Sequence, residues 1–465
     1  MKGYYLMPHP PIMIPEIGCG KEKEIINTIN ACNKIGEEIF KKDIDTIVII
    51  TPHGNVFRDG VCIAYEDRIK GDLGKFGAFD VAYDLEINKN LTRKVIDNCN
   101  ESNIPVIELT KDREDLYNIR LELDHGALVP LYYVLKEKEY RIVHITYGML
   151  TPLELYKFGM QIKKSIDENN ERAVIIASGD LSHKLKEGGP YEYSEYAKKF
   201  DNSLLNILEK GNVSELFNMD ENLIMEASEC GLRSLYILMG TLDEKEIKGD
   251  ILSYEGPFGV GYAAIRFNTS NSESLYNTLI WNKEEEHRNK LKEGNPYTKL
   301  ARSNLDNYFK SGISLRVSDI KDEKLLKERR GVFVSLKIKG ILRGCIGTIT
   351  PTTECIGVEI IKNSLSAAFN DPRFPRLREE ELLECSISVD ILDKAEKCSL
   401  EDLDPKNYGV IVSSQGKRGL LLPNLEGIDD AKTQVEIAMD KGNISPFEDY
   451  KLERFKVTRY KEGEQ

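Results

Sequence analysis

Three short runs dominate the first half of this chain: "DTIVIITPH", "RIVHITYG" and "RAVIIASGD". Each is a nearly continuous string of β-branched and other apolar residues, too short for a helix and bounded by polar turns. A strand that is apolar on both faces must be covered on both faces. Between such runs lie stretches with apolar residues at helical spacing, "EKEIINTINACNKIGEEIFKK" and "PLELYKFGMQIKKSIDEN". Strands alternating with helices define an α/β domain whose central sheet is covered by helices on both faces. The pattern ends in "GDILSYEGPFGVGYAAIRF", whose glycines separate two final strands.

A chain of 465 residues is too long for one ordinary core. The first domain is expected over residues 1–268, a polar and charged linker over 269–295, and a second α/β domain over 296–465. That second unit reads as a helix ("TKLARSNLDNYFKSG"), strands ("GVFVSLKIKGILRGCIGTI") and a helix ("CIGVEIIKNSLSAAFN").

With 41% hydrophobic and 30% charged residues the composition is that of a globular protein, and a net charge of −13 argues against a nucleic-acid surface. No window approaches the roughly 18 apolar residues of a membrane span, so no membrane partner is expected. Nine cysteines without a CxxC pair suit reduced thiols in the cytoplasm. A homo-oligomer is left open.

The chemistry is concentrated in few residues. Of the six histidines, His9 ("YLMPHPP") and His53 ("VIITPHG") each follow a strand that ends in proline. Proline lacks the N–H that a ladder needs, so it stops the strand there. Both imidazoles then sit at carboxyl ends of strands, where open α/β sheets bind ligands. Two such imidazoles converging on one point make a metal site or an acid–base pair.

Asp124 and His125 in "LELDHGALVPL" precede an apolar helix. Asp180, Ser182 and His183 in "IIASGDLSHKL" lie just past a buried strand. An aspartate beside a histidine can fix the tautomer of its ring, though aspartates are also ordinary helix caps. His144, inside a strand, reads as a hydrogen-bonded core histidine. A third ligand is sought in "NLIMEASECGLRSLYIL", where Glu229 and Cys230 stand side by side. Two histidines and a carboxylate form the facial set of non-haem Fe(II) enzymes, whereas a thiolate shifts preference toward copper or zinc.

Taken in order, "MPHPP", "TPHG", "LDHGALVPL", "SGDLSHKL" and "SECG" resemble the class III extradiol dioxygenase B-subunit (LigB-like) superfamily, which includes the Memo proteins. The resemblance implies Fe(II) held by His9, His53 and Glu229, with His183 and His125 as acid–base and substrate-orienting residues and Asp124 beside them. It implies a metal-dependent oxidoreductase acting on a catechol-like small molecule. Memo-type relatives place a cysteine third, which makes Cys230 the alternative ligand and Zn or Cu the alternative metal, without ring cleavage.

The segments "LRGCIGT", "AAFNDPRFPRL" and "GLLLPNLEG" resemble the AMMECR domain. The fusion as a whole is similar to the AmmeMemoRadiSam system protein A family, which implies a radical-SAM protein as partner. Read residue by residue, Arg343, Gly344, Cys345 and Gly347 make a tight strand–turn segment where backbone N–H groups could meet a ligand. A cation beside Cys345 would lower its thiol pKa, and Arg373 with Arg376 and Phe374 offers anion recognition. The plainer alternatives are a glycine-rich turn with a buried cysteine and an arginine brace. For the whole chain the alternative to catalysis is a pair of interaction modules.

Overall fold

The computed structural model describes all residues except Glu137, Glu426, Glu464 and Gln465. Two compact units emerge, Met1–Asn282 and Lys283–Gln465. The segment read as a linker contains the end of one strand, Tyr262–Asn271, and a helix, Leu275–Glu293, that runs past the division between the units. Among the described residues no helix is long and apolar enough to cross a membrane.

The first unit is built on an eight-stranded mixed sheet. Its middle is the parallel set Arg141–Thr146, Thr46–Thr51, Ala173–Ser178 and Gly3–Met7, in that spatial order. The antiparallel pair Lys245–Glu255 and Tyr262–Asn271 extends one side. On the other side Val61–Ala64 pairs antiparallel to Arg141–Thr146.

The apolar runs divide by parity, as a sheet covered on both faces requires. Leu6, Val48, Ile50, Val143, Ile145 and Ile175 enter one core, shared with the helix Pro152–Glu168. Tyr5, Met7, Ile47, Ile49, Ile142 and Ile176 enter the other, shared with the helices Ile26–Phe40 and His125–Val134. The expected fold class therefore holds, with the final strand pair where the glycines placed it.

A two-stranded hairpin, Arg68–Leu73 with Ala78–Glu86, adds a feature the sequence reading lacked. A cavity of about 1010 Å³ lies along it, lined among others by Arg68, Lys70, Asp84 and Arg120.

The second unit contains two four-stranded antiparallel sheets. Val332–Ile338 is an inner strand of the first, and its inward residues Val332, Val334 and Leu336 pack with the helix Ile356–Phe369.

Candidate functional site

Parallel pairing brings the strand ends into line. Met7 stands opposite Ser178, and Ile50 opposite Ala177, so three neighbouring strands finish together. His9, His53 and Asp180 each lie two residues past the end of one of these strands. A site at the carboxyl edge of the sheet follows directly.

His9 is 2% exposed. Its backbone N–H donates to Asp180 Oδ1 at 3.0 Å, and its Nδ1 lies 2.8 Å from Ser178 Oγ. The Ser178 hydroxyl donates its one proton to the Gly126 carbonyl. Ser178 Oγ must therefore accept from His9 Nδ1–H, which leaves the lone pair on Nε2. That Nε2 is 3.0 Å from Nε2 of His53. Two ring nitrogens this close need a proton on His53 or a cation shared between them. Ligands at about 2.1 Å from one ion and at right angles are separated by about 3.0 Å, so the pair fits a metal.

His125 completes the cluster. The ligand atoms of His9, His53 and His125 all lie within 4.8 Å of one another, the group of this kind found among the described residues. The rings of His53 and His125 are stacked, with centroids 4.4 Å apart. Burial lowers the pKa of all three imidazoles: that of His9 well below its ordinary value, that of His53 below its ordinary value, and that of His125 to about 4, where His53 and His9 add to the effect. Neutral rings are the form that binds metals.

Asp124 acts behind the cluster. It caps the helix His125–Val134 by accepting from Ala127 N at 3.2 Å, and it accepts from Thr51 Oγ1 at 2.5 Å. Its other oxygen accepts from His144 Nε2 at 3.2 Å. His144 is thus the hydrogen-bonded core histidine that its strand setting indicated.

The "SECG" motif resolves differently from the expectation. Glu229 turns to the helix Leu232–Thr241, where its Oε2 accepts from Leu232 N at 2.6 Å. Cys230 is the residue facing His9, with Sγ 3.6 Å from Nε2. It also accepts from Asp180 N at 3.4 Å. The backbone explains this placement: a Cβ on Gly179 would strike Gly231 Cα, so only paired glycines allow the two segments to meet. Burial keeps the Cys230 pKa well above that of an ordinary thiol, reinforced by Asp180. Burial also raises the Asp180 carboxyl to about 6.

His183 lies near this group without joining it. Its backbone N–H donates to the Ala227 carbonyl at 2.9 Å, and its buried Nε2 has no hydrogen-bond partner. An orphaned buried ring nitrogen beside a histidine cluster is what a ligand would satisfy. Ser178 and Asp180 are the contributors that the sequence reading gave no part in holding His9. The sequence signal for both was their position at the end of a buried strand.

The second-domain residues are occupied by one another. Arg343 Nε donates to Glu381 Oε1 at 2.7 Å and Nη2 to Oε2 at 3.0 Å, while Nη1 reaches the Pro375 carbonyl at 2.8 Å. Arg373 clamps Asp371 through Nε at 2.9 Å and Nη2 at 2.7 Å. Cys345 accepts from Ser335 Oγ at 3.2 Å, and burial raises its pKa despite Arg373 nearby. Here the thiol is not activated, because burial outweighs the cation. Gly344 is required by packing, since a Cβ there would strike the Ala367 carbonyl.

The Asp371 carboxyl is held down to about 2, chiefly by the hydrogen bonds from Arg373. Its folded pKa lies below the unfolded value of about 3.9, so its stabilisation is present above that value. It is lost as pH falls from there toward about 2. Urea midpoints between pH 5 and 2 should therefore drop more steeply for the native chain than for Asp371→Asn. Parallel slopes would refute this.

Residues 3–265 match the family described as the catalytic LigB subunit of aromatic ring-opening dioxygenase, and residues 298–464 match AMMECR1. A Clostridium acetobutylicum protein is 48% identical over 466 residues, covering all of both chains. A Thermotoga maritima protein is 43% identical over 169 residues, 36% of this chain and 97% of its own. An uncharacterized Escherichia coli K12 protein of known structure aligns with 57% of this chain and 99% of its own, at 16% identity and a TM-score of 0.42. With its histidines gathered at the carboxyl edge of the sheet, the chain belongs to the LigB family, as a LigB domain followed by an AMMECR1 domain.

Proposed function

We propose that residues 1–282 hold one metal ion through His9, His53 and His125, with Cys230 as an adjoining soft donor, in a metal centre of the Memo-like kind without ring cleavage. The observation that carries this reading is the fixed tautomer of His9, whose free Nε2 points at His53 Nε2 3.0 Å away and has Cys230 Sγ at 3.6 Å. Imidazole and thiol donors suit copper or zinc, whereas the carboxylate expected for Fe(II), Glu229, is engaged at a helix start. When bound, the ion would supply Lewis acidity toward an oxygen ligand.

The chain's own groups do the rest. Ser178 and Asp180 hold His9 from two sides. His183, with a free and buried Nε2, takes or returns a proton at a small-molecule substrate. Asp124 fixes the start of the helix that carries His125. Reduced Cys230 suits the cytoplasm. The pairing of LigB and AMMECR1 domains supports a radical-SAM enzyme as the partner on a shared substrate.

Ring opening with Fe(II) is a second reading, favoured by Asp180, whose Oδ2 lies 3.8 Å from His9 Nε2. Elemental analysis of anaerobically purified protein separates the two readings, with oxygen uptake followed after adding catechol. About one equivalent of copper or zinc and no uptake supports the first. Iron with catechol-dependent uptake overturns it.

A further inference from the structure

Two aromatic side chains stand against histidines of the site and remain open to solvent. Phe76, 41% exposed, meets His125 edge-on with ring centroids 5.3 Å apart. Tyr191, 49% exposed, stacks on His183 at 5.1 Å with an interplanar angle of 29°. Large apolar side chains left half in water at a ligand site are not explained by the core, which they do not enter.

Both are held on anchored turns. Phe76 ends the turn Gly74–Phe76 at the hairpin tip, closed by Gly77 N to the Gly74 carbonyl at 2.9 Å. The neighbouring Lys75 pairs with Glu122 at 2.8 Å, which ties the tip to the segment entering His125. Tyr191 is carried by a loop whose ends are joined by Ser194 N to the Lys184 carbonyl at 3.0 Å. Leu185 N donates to the Gly259 carbonyl at 2.9 Å and secures the same loop to the final strand pair. These turns come from separate parts of the chain, yet each delivers one ring to one histidine.

The two histidines concerned are those with something to offer a ligand beyond His9 and His53. His183 carries the buried, unpartnered Nε2, and His125 belongs to the ligand cluster. An aromatic face or edge next to each favours a flat π-system over a saturated ring of the same substituents, because stacked and edge-on pairs gain energy beyond area burial.

We propose that Phe76 and Tyr191 are specificity-determining residues of the site, two aromatic walls that select a planar ring over a saturated one bearing the same hydroxyls. The inference rests on the metal-site reading for where the ligand sits, but not for how the walls discriminate.

The test is calorimetric titration of the full chain with catechol and with trans-cyclohexane-1,2-diol, alongside elemental analysis of each preparation. The native chain should bind catechol at least about 10-fold tighter than the saturated diol. Phe76→Leu and Tyr191→Leu should each weaken catechol binding by about 2- to 12-fold, the range of one aromatic pair. Neither should change the affinity for the saturated diol or the metal content. Tyr191→Phe keeps the ring and should keep the selectivity, which a role for the hydroxyl would not. Failure to bind catechol, equal affinity for both diols, or equal losses in the variants overturns the proposal. Absent metal with selectivity retained would instead overturn the donor assignment and leave the walls standing.

Discussion

His9→Ala should leave the chain without bound metal, while Glu229→Gln should keep it. Removing a single outer partner of a ligating histidine costs about 10–100-fold in metal affinity, so deleting His9 itself should cost more than about 100-fold. No neighbour can substitute, because His9 is buried and its orientation is set from Ser178 and Asp180. Ser178→Ala should lose about 10–100-fold by releasing the tautomer.

Glu229 is a different case. Its carboxylate satisfies a backbone N–H at the start of the helix Leu232–Thr241, and losing a helix-start acceptor costs about 0.5–2 kcal/mol of stability. Glu229→Gln keeps a carbonyl oxygen that can accept from Leu232 N, so it should unfold close to native and leave metal affinity within about 3-fold of native. Competition titrations with a chromophoric chelator measure both variants, with circular dichroism as a check on folding. A Glu229→Gln protein that loses metal as completely as His9→Ala would restore the carboxylate to the ligand set.

The contrast between these residues marks where sequence reading stops. Pro52 and His53 after a β-branched run disclose a strand end, and parallel pairing then brings separate strand ends together. That inference needs only local chemistry and a rule about sheets. Choosing between Glu229 and Cys230 needs the direction of a side chain one residue further along. The choice depends on Ser228 in the left-handed region and on Gly231 packed against Gly179, neither of which has a sequence pattern of its own.

His125 shows the same limit, since the helix start was legible but not the direction of its ring. The hairpin bearing Phe76 was missed because "RIKGDLGKFGAFDVAYDLE" mixes charges and glycines with its alternation, so its period is blurred. In the second domain Arg343 stands in a strand–turn segment whose backbone N–H groups, on sequence alone, could meet a ligand, and nothing there announces what its side chain binds. Its partner Glu381 lies 38 positions away, and pairing at that range leaves no local trace.

The same long-range logic predicts a large stability effect at Arg302. This side chain is fully buried in the second unit, at 0% exposure. Its Nε and Nη2 both bond the Glu462 carboxylate, and Nη2 also donates to the Cys385 carbonyl at 2.6 Å. Nη1 donates to the Leu382 carbonyl at 3.1 Å and to His287 Nδ1 at 2.9 Å, while His287 Nε2–H donates to Asp306 at 2.9 Å. Glu462 in turn accepts from Ile387 N at 2.8 Å, so the pair joins the end of the chain to the strand Cys385–Leu392.

Breaking a buried pair by removing one partner costs about 3–5 kcal/mol, since the remaining charge stays desolvated. For a unit of this size each kcal/mol moves the midpoint by about 2–4 °C. Arg302→Met or Glu462→Ala should thus lower the unfolding temperature of the second unit by roughly 10 °C. Calorimetry of the full chain would follow this, with hydrogen exchange at the Ile387 amide assigning the transition. The double variant Arg302→Met/Glu462→Ala should lose clearly less than the sum of the singles, because it strands no charge. Additive losses would mean that the two side chains contribute only by packing, and that the ion pair carries nothing.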